Sequence, residues 1–316
     1  MPRTPHLTVP DLTGRRAVVT GGAAGIGLGI VRRLAAAGAE VLVPVRNRGR
    51  AEDALAQVRR EVPGARVRLH DLDLSSLASI AAFGRELLAE DEPVHLLVAN
   101  AGVMTPPSRR ETADGFELQL GTNHLGHVAL VGHLAPLLVR GRAWVTSQVS
   151  VAARSGAVHW DDLNWERSYA GGRAYSSSKI ALGLFGLELD RRSRAAGWGI
   201  TSNLVHPGVA PTTLLAARPE MGRERDTPAV RVIRTLSRAG ILLGTADSAA
   251  LPAVLAATSP AASGGRLYGP AGPGHLGGAP AEQTLYRPLR DAAAAQRVWQ
   301  VSQELVGVDI AAAAHV

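Results

Sequence analysis

The sequence predicts an α/β fold: a single domain with a doubly wound parallel sheet and helices on both faces. Three observations carry this expectation. Short apolar runs of strand length recur along the chain and alternate with stretches of helical period. A glycine turn joins the first such run to the first helical stretch, the arrangement that opens an open α/β sheet with a ligand site. No internal repeat and no linker divides the 316 residues, a length that one α/β domain commonly reaches.

The elements follow in order. Residues 16–20 form a buried apolar strand. Thr20-Gly21-Gly22-Ala23-Ala24-Gly25-Ile26-Gly27 follows, and Ile30, Val31 and Leu34 are spaced as the buried stripe of a helix ending at Gly38. Glycines here let the backbone approach a phosphate, and the helix N-terminus offers free N–H groups, so Gly21, Ala24, Gly25, Ile26 and Gly27 are predicted to bind a pyrophosphate. Residues 40–45 are the second strand. At its end stand Arg46 and Asn47 where a protein selecting NAD would carry an acid, so NADP(H) is favoured over NAD(H). Residues 51–60 read as the next helix, with Arg50 a solvated arginine at its start. Residues 67–70 are a third strand, followed by Asp73, placed to accept an adenine amino group or to charge a helix N-terminus, and by Leu74. Ser75 is the expected N-cap of the helix carrying Leu77, Ile80, Phe83 and Leu87.

Residues 94–99 are continuously apolar, as a central parallel strand requires, and end at Asn100-Ala101-Gly102, whose small residues let a coenzyme pass. Residues 112–140 carry a long helical pattern with a polar Asn123 set among leucines, and a buried Asn needs partners. Residues 142–147 are the fifth strand. Ser147 stands at its carboxyl end, where open sheets place their ligands. The connection 148–173 is long enough to suggest a functional loop. After a sixth strand at 199–205 the chain turns at Pro207, Gly208 and Val209. Residues 214–244 read as a lid over a substrate, 246–257 as a helix and 265–269 as the last strand. A glycine- and proline-rich stretch at 270–280 and a terminal helix near 289–306 form a C-terminal extension, 270–316.

One pair of residues organises the chemistry. Of the 34 cationic side chains 33 are arginine, and the one lysine is Lys179, four residues after Tyr175. On a helix that spacing puts both on one face. An ammonium beside a phenol favours the phenolate and lowers its pKa, giving a proton donor and acceptor that works near neutral pH. The planar guanidinium of arginine would substitute poorly.

Composition removes other classes. With no cysteine, disulfides and thiolate chemistry are excluded, which fits a reducing, cytoplasmic setting. The first ten residues hold Pro2, Pro5 and Pro10 and no apolar run, so no conventional signal peptide is expected, and no apolar stretch reaches membrane-spanning length. The net charge of +7 is scattered and aromatic residues are only 4%, which argues against a nucleic-acid surface. His124, His127 and His133 lack a carboxylate–histidine pattern, so no metal is expected. Trp160, Trp165 and the lid point to a small, bulky, apolar substrate.

Taken together, the glycine turn, Asn100-Ala101-Gly102, Asn123, Ser147, Tyr175 with Lys179, and Pro207-Gly208 resemble the short-chain dehydrogenase/reductase family. Val45-Arg46-Asn47, Leu72-Asp73-Leu74 and His206-Pro207-Gly208-Val209 are similar to its retinol-dehydrogenase-like and WW-domain-oxidoreductase-like branch. The resemblance implies a Rossmann fold with strand order 3-2-1-4-5-6-7, and an NADP(H)-dependent alcohol–carbonyl oxidoreductase. It implies that Tyr175 exchanges a proton with the substrate oxygen and that Lys179 lowers its pKa and holds the nicotinamide ribose. Ser147 would orient the carbonyl and Asn123 would support a water. Val209 and Thr212 would meet the carboxamide end. A homodimer or homotetramer is also implied. Gln148-Val149-Ser150 departs from the branch, which often has a small residue and a histidine there. The alternatives are a non-catalytic NADP-binding regulator on the same fold and a double-bond reductase. A light-dependent reductase is disfavoured by the missing cysteines.

Overall fold

The structure is a computed structural model that describes residues 5, 7–210, 235 and 244–315. One sheet of eight strands runs through the molecule in the order β3-β2-β1-β4-β5-β6-β7-β8. The strands are β1 (Arg16–Val19), β2 (Glu40–Val45), β3 (Arg66–Asp71), β4 (Leu96–Ala99), β5 (Trp144–Gln148), β6 (Thr201–Val205), β7 (Leu267–Pro270) and β8 (Pro280–Gln283). The first seven are parallel and take the expected order. β8 pairs antiparallel with β7, Pro270 opposite Pro280. This edge strand arises from the stretch read as a glycine- and proline-rich connection. Four residues are too few to show a two-residue period, and Pro is tolerated where a strand begins at a sheet edge.

One face of the sheet is covered by α1 (Gly25–Ala36), α2 (Arg48–Glu61) and α8 (Leu251–Thr258), where Ile30, Leu34, Leu55 and Val254 are fully buried against Val41 and Val43. The other face carries α3 (Leu77–Glu90), α5 (Gly126–Arg140) and α6 (Gly171–Ala196), with Phe83, Leu130, Leu134 and Phe185 in its core. Beyond that layer, α9 (Ala292–Val306) lays Trp299 on Phe185, ring centroids 5.3 Å apart, and α10 (Ile310–Ala313) buries Ile310. The short α7 (Ala246–Ala249) precedes α8. No helix among the described residues is long and apolar enough to cross a membrane.

Several boundaries differ from the expectations. The helix read from residue 112 starts with α4 (Leu118–Leu120), because a bridge between Glu111 and Glu117 closes a turn there and Glu117 accepts from Leu120 N at 2.7 Å. It then passes through a π-turn, Gly121–Leu125, into α5. The N-cap of α3 is Ser76, not Ser75. Asp73 has taken the Ser75 N–H and hydroxyl at 2.9 and 2.6 Å, which leaves the Ser76 hydroxyl to accept from Ser79 N. Thr212 and, apart from Thr235 and Gly244, the expected lid at 214–244 lie outside the described residues.

Candidate active site

The carboxyl ends of β1, β2, β4 and β5 open on a cleft of about 350 Å³. Its floor is the turn after β1. Gly21 and Gly25 hold positive φ, +65° and +52°. A Cβ on Gly27 would stand 2.1 Å from the Gly21 carbonyl oxygen, so only glycine lets α1 start this close to the turn. The N-cap of α1, Ala24, has no side chain to satisfy the first-turn N–H groups, which therefore face the cleft.

The cleft brings together Gly21, Ala24, Gly25, Ile26 and Gly27 with Arg46, Asn47, Asp73 and Leu74, and with Asn100, Ala101 and Gly102. Asn100 Nδ2 donates to the Thr20 carbonyl at 2.8 Å, and Thr20 Oγ1 accepts from the backbone N–H groups of Asn100 and Ala101 at 2.9 and 3.0 Å. Among the three arginines after β2, Arg48 is ion-paired with Asp71 at 2.8 Å and turned from the cleft. Arg46 and Arg50 line it. Arg50 thus belongs to the cleft wall, where the sequence suggested only a solvated helix start. Asp73 is engaged with Ser75, so it caps its own turn while bordering the cleft. Pro207 and Val209 lie past β6, outside the lining of the cleft, and Val209 N is held by Leu276 O at 2.9 Å.

Tyr175 and Lys179 are both buried on α6, outside the lining of the cleft, and Lys179 reaches its wall. Lys179 Nζ donates to the Gln148 carbonyl at 2.8 Å. A methyl placed on Gly102 would lie 3.0 Å from Asn123 Oδ1 and 3.5 Å from Lys179 Nζ, so these two groups flank Gly102. Asn123 sits in the π-turn. Its Oδ1 accepts from Val103 N at 2.7 Å, and its Nδ2 donates to Val103 O at 2.9 Å and Ser178 Oγ at 3.0 Å. His127 Nδ1 lies 3.0 Å from the Asn123 main-chain oxygen and its Nε2 3.0 Å from Thr20 Oγ1. An N–H on Nδ1 fixes the tautomer: Nε2 accepts from the Thr20 hydroxyl, leaving that oxygen free for its two backbone donors. Burial pushes the His127 pKa down to about 4, so the ring is neutral at physiological pH.

The structure corrects the serine. Ser147 shares a face of β5 with Val145 and Val149, which pack in the core under α6. A Cβ on Gly186 would be 3.3 Å from Ser147 Oγ. Gly186 lies eleven residues beyond Tyr175 on the same helix, about 16 Å along it at the usual rise. Ser150 instead stands near enough to the Tyr175 phenol for its side chain to lower the phenol's pKa. It caps the short turn after β5, accepting from Ala152 N at 3.2 Å. The available signal was the end of the strand. A side chain in β5 is bound to one sheet face, whereas a serine just beyond the last paired residue is free to reach the mouth.

The electrostatics also differ from the spacing argument. Burial raises the Tyr175 pKa, and the Ser150 hydroxyl, rather than the Lys179 ammonium, draws it back. Burial lowers the Lys179 pKa to about 8. The ammonium is pointed at a backbone carbonyl, so its i, i+4 spacing from the phenol does not become a charge–phenol contact.

A second cavity, about 470 Å³, is lined by Ala152, His159, Trp165, Arg173 and Ser176, neighbours in sequence of Ser150 and Tyr175. Trp165 stacks on His159 at 4.4 Å there, while Trp160 lies under Arg297 at 4.2 Å. The histidines considered for a metal do not converge: His124 bonds Ser302 and His127 bonds Thr20. His70, Glu86 and Glu90 gather three ligand atoms within 4.8 Å, but Glu90 is already paired with Arg16 and Arg68.

A doubly wound sheet whose first turn is built for a phosphate, with Lys179 and Asn123 buried behind the Gly102 wall of the same cleft and Tyr175 one turn before Lys179 on α6, defines a nucleotide-coenzyme oxidoreductase. The chain belongs to the short-chain dehydrogenase/reductase family: a model of the short chain dehydrogenase family matches residues 15–222. It is 42% identical over 211 residues to a mouse polyprenol dehydrogenase and 41% identical over 206 residues to human retinol dehydrogenase 12, each match covering 65% of this chain. The chain spans only 63% and 64% of those two relatives. Human retinol dehydrogenase 14 is 33% identical over 316 residues, 93% of this chain and 87% of that one. Among solved structures, an uncharacterized protein from Mycobacterium Paratuberculosis superposes with a TM-score of 0.76 at 30% identity, covering 96% and 97% of the two chains. The Pseudomonas aeruginosa RhlG/NADP complex gives 0.61 at 25% identity, covering 81% and 94%.

Proposed function

We propose that the protein is an NADP(H)-dependent oxidoreductase that interconverts an alcohol and an aldehyde or ketone of a bulky, lipophilic small molecule. The observation that carries this reading is that Lys179, four residues after the Ser150-paired Tyr175 on α6, meets the Gln148 carbonyl and the Gly102 wall of the glycine-turn cleft. The residues fit the coenzyme. The turn leaves no room for a Cβ at Gly27, and two buried polar atoms lining the cleft, Thr122 Oγ1 and Gln148 Oε1, have no partner among the described residues. The α1 N-terminus and turn would take the pyrophosphate, Arg46 and Arg50 a 2′-phosphate, and Lys179 the nicotinamide ribose. When bound, the nicotinamide supplies the hydride for reduction or takes it in oxidation.

The chain's own residues move the proton. In reduction, Tyr175 donates its phenol proton to the substrate oxygen as that oxygen gains charge, and the Ser150 hydroxyl orients the oxygen. A raised pKa keeps Tyr175 protonated at neutral pH, the form this direction needs. Lys179, its pKa lowered to about 8 by burial, keeps its ammonium on the Gln148 carbonyl at the cleft wall, where it would meet the ribose. Asn123 is a positioning residue: by gripping Val103 through both backbone groups it holds the Gly102 wall. The polyprenol and retinol names of two relatives support a lipophilic substrate, as does the aromatic second cavity.

The test mixes the protein with NADPH and a panel of lipophilic aldehydes and ketones and follows nicotinamide absorbance. Turnover with NADPH, lost in Tyr175→Phe, is expected, and Arg46→Ala should raise the KM for NADPH about tenfold without affecting NADH. A Tyr175→Phe variant as active as the parent would remove Tyr175 as proton donor. Coenzyme binding without turnover on any carbonyl would favour a regulator.

A further inference from the structure

Gln148 is the last residue of β5, buried, and an unusual choice beside an apolar strand run. Its amide orientation is fixed by a chain of hydrogen bonds. Asn100 Nδ2 faces the carbonyls of Thr20 and Gly21, at 2.8 and 3.4 Å, so Asn100 Oδ1 faces the other way. That oxygen can only accept, so the atom of Gln148 that meets it at 2.8 Å is the amide nitrogen. Gln148 Oε1 is therefore turned away from Asn100. It is buried and has no hydrogen-bond partner, and the residue lines the cleft. A carbonyl oxygen accepts and never donates, so whatever completes this site brings an O–H or N–H. The backbone carbonyl of Gln148 receives Lys179 Nζ, which places the residue on the Lys179 side of the cleft, and β5 lies three strands away from β2, which Arg46 follows.

Resting on the coenzyme reading above, we propose that Gln148 Oε1 accepts a hydrogen bond from the nicotinamide half of the coenzyme, at a ribose hydroxyl or the carboxamide N–H, and so holds that half against Lys179. Asn100 sets the direction of the acceptor. Coenzyme selection is then divided between the ends of the cleft: Arg46 reads the adenine side and Gln148 the nicotinamide side.

The test is fluorescence titration of NADPH, and calorimetric titration of adenosine 2′,5′-bisphosphate, into the parent and Gln148→Met. The bisphosphate carries the adenine half alone. Gln148→Met should lose about tenfold in NADPH affinity, 1.4 kcal/mol by the standard conversion, and keep its affinity for the bisphosphate. Gln148→Ala, which removes the acceptor without adding bulk, should behave alike if methionine disturbs the packing. Unchanged NADPH affinity in both variants overturns the assignment. An equal loss for both ligands also overturns it, by showing that the substitution damages the turn through Asn100. A parent that binds neither ligand sinks the coenzyme reading itself, and this inference with it.

Discussion

Replacing Ser150 and Ser147 separately by alanine tests the site most directly. Ser150→Ala deletes the hydroxyl that lowers the Tyr175 pKa and leaves burial alone acting on the phenol, whose pKa then rises further. It also removes a preset donor from the position where charge develops on the substrate oxygen. Loss of one such donor lowers turnover about a hundredfold, or about 2.7 kcal/mol of barrier. The same change removes the cap on Ala152 N, at a cost of about 1 kcal/mol or less in stability, so the protein remains folded. Ser147→Ala removes a hydroxyl packed toward Gly186 on α6, with an expected cost of about 1 kcal/mol in stability and little in rate. The assay is kcat/KM on a lipophilic aldehyde with NADPH, beside a denaturant melt of each variant. If Ser147→Ala lost a hundredfold while Ser150→Ala turned over normally, the pairing of Ser150 with the reacting oxygen would be wrong.

Further outcomes follow from the same structure. Lys179 is buried, and burial holds its pKa at about 8 against an ordinary 10.5, so the folded protein resists its protonation and stability from this group grows as pH rises from 8 to 10.5. Lys179→Met should therefore raise the melting temperature at neutral pH by a few degrees, about 1–3 kcal/mol, while abolishing turnover; a lower melting temperature would contradict it. His124, His127 and His206 are held neutral by burial, with pKa values of about 3, 4 and 4 against an ordinary 6.5. The unfolded chain takes up these protons first. Stability is then complete above about pH 6.5 and is lost as the pH falls toward 4, by on the order of 3 kcal/mol per histidine at the end of that range. Denaturation midpoints that stay flat between those pH values would refute it. Gly27→Ala puts a methyl 2.1 Å from Gly21 O and 2.7 Å from Asn100 Nδ2, so about 1–3 kcal/mol of stability and more than tenfold of NADPH affinity should be lost, read by thermal melting and titration.

Local rules settled a good deal of this protein. The strands at 16–20, 40–45 and 94–99 were legible because a parallel strand buried on both faces must be continuously apolar. The glycine turn was legible because no other residue fits it. Tyr175 and Lys179 were legible because a helix puts i and i+4 on one face. β8 was not, since its partner lies across a turn and its register depends on β7 rather than on its own pattern.

Residue order alone thus establishes the succession of elements and the side chains offered to the cleft. Packing in three dimensions selects which of them meet. It separated Ser147 from Ser150, although they stand three positions apart, because the end of a strand changes which way a side chain points. It placed Arg50 in the cleft and took Arg48 away to Asp71. It also set the signs of the Tyr175 and Lys179 shifts, because burial and hydrogen-bond partners are properties of the packed neighbourhood and not of spacing along the chain.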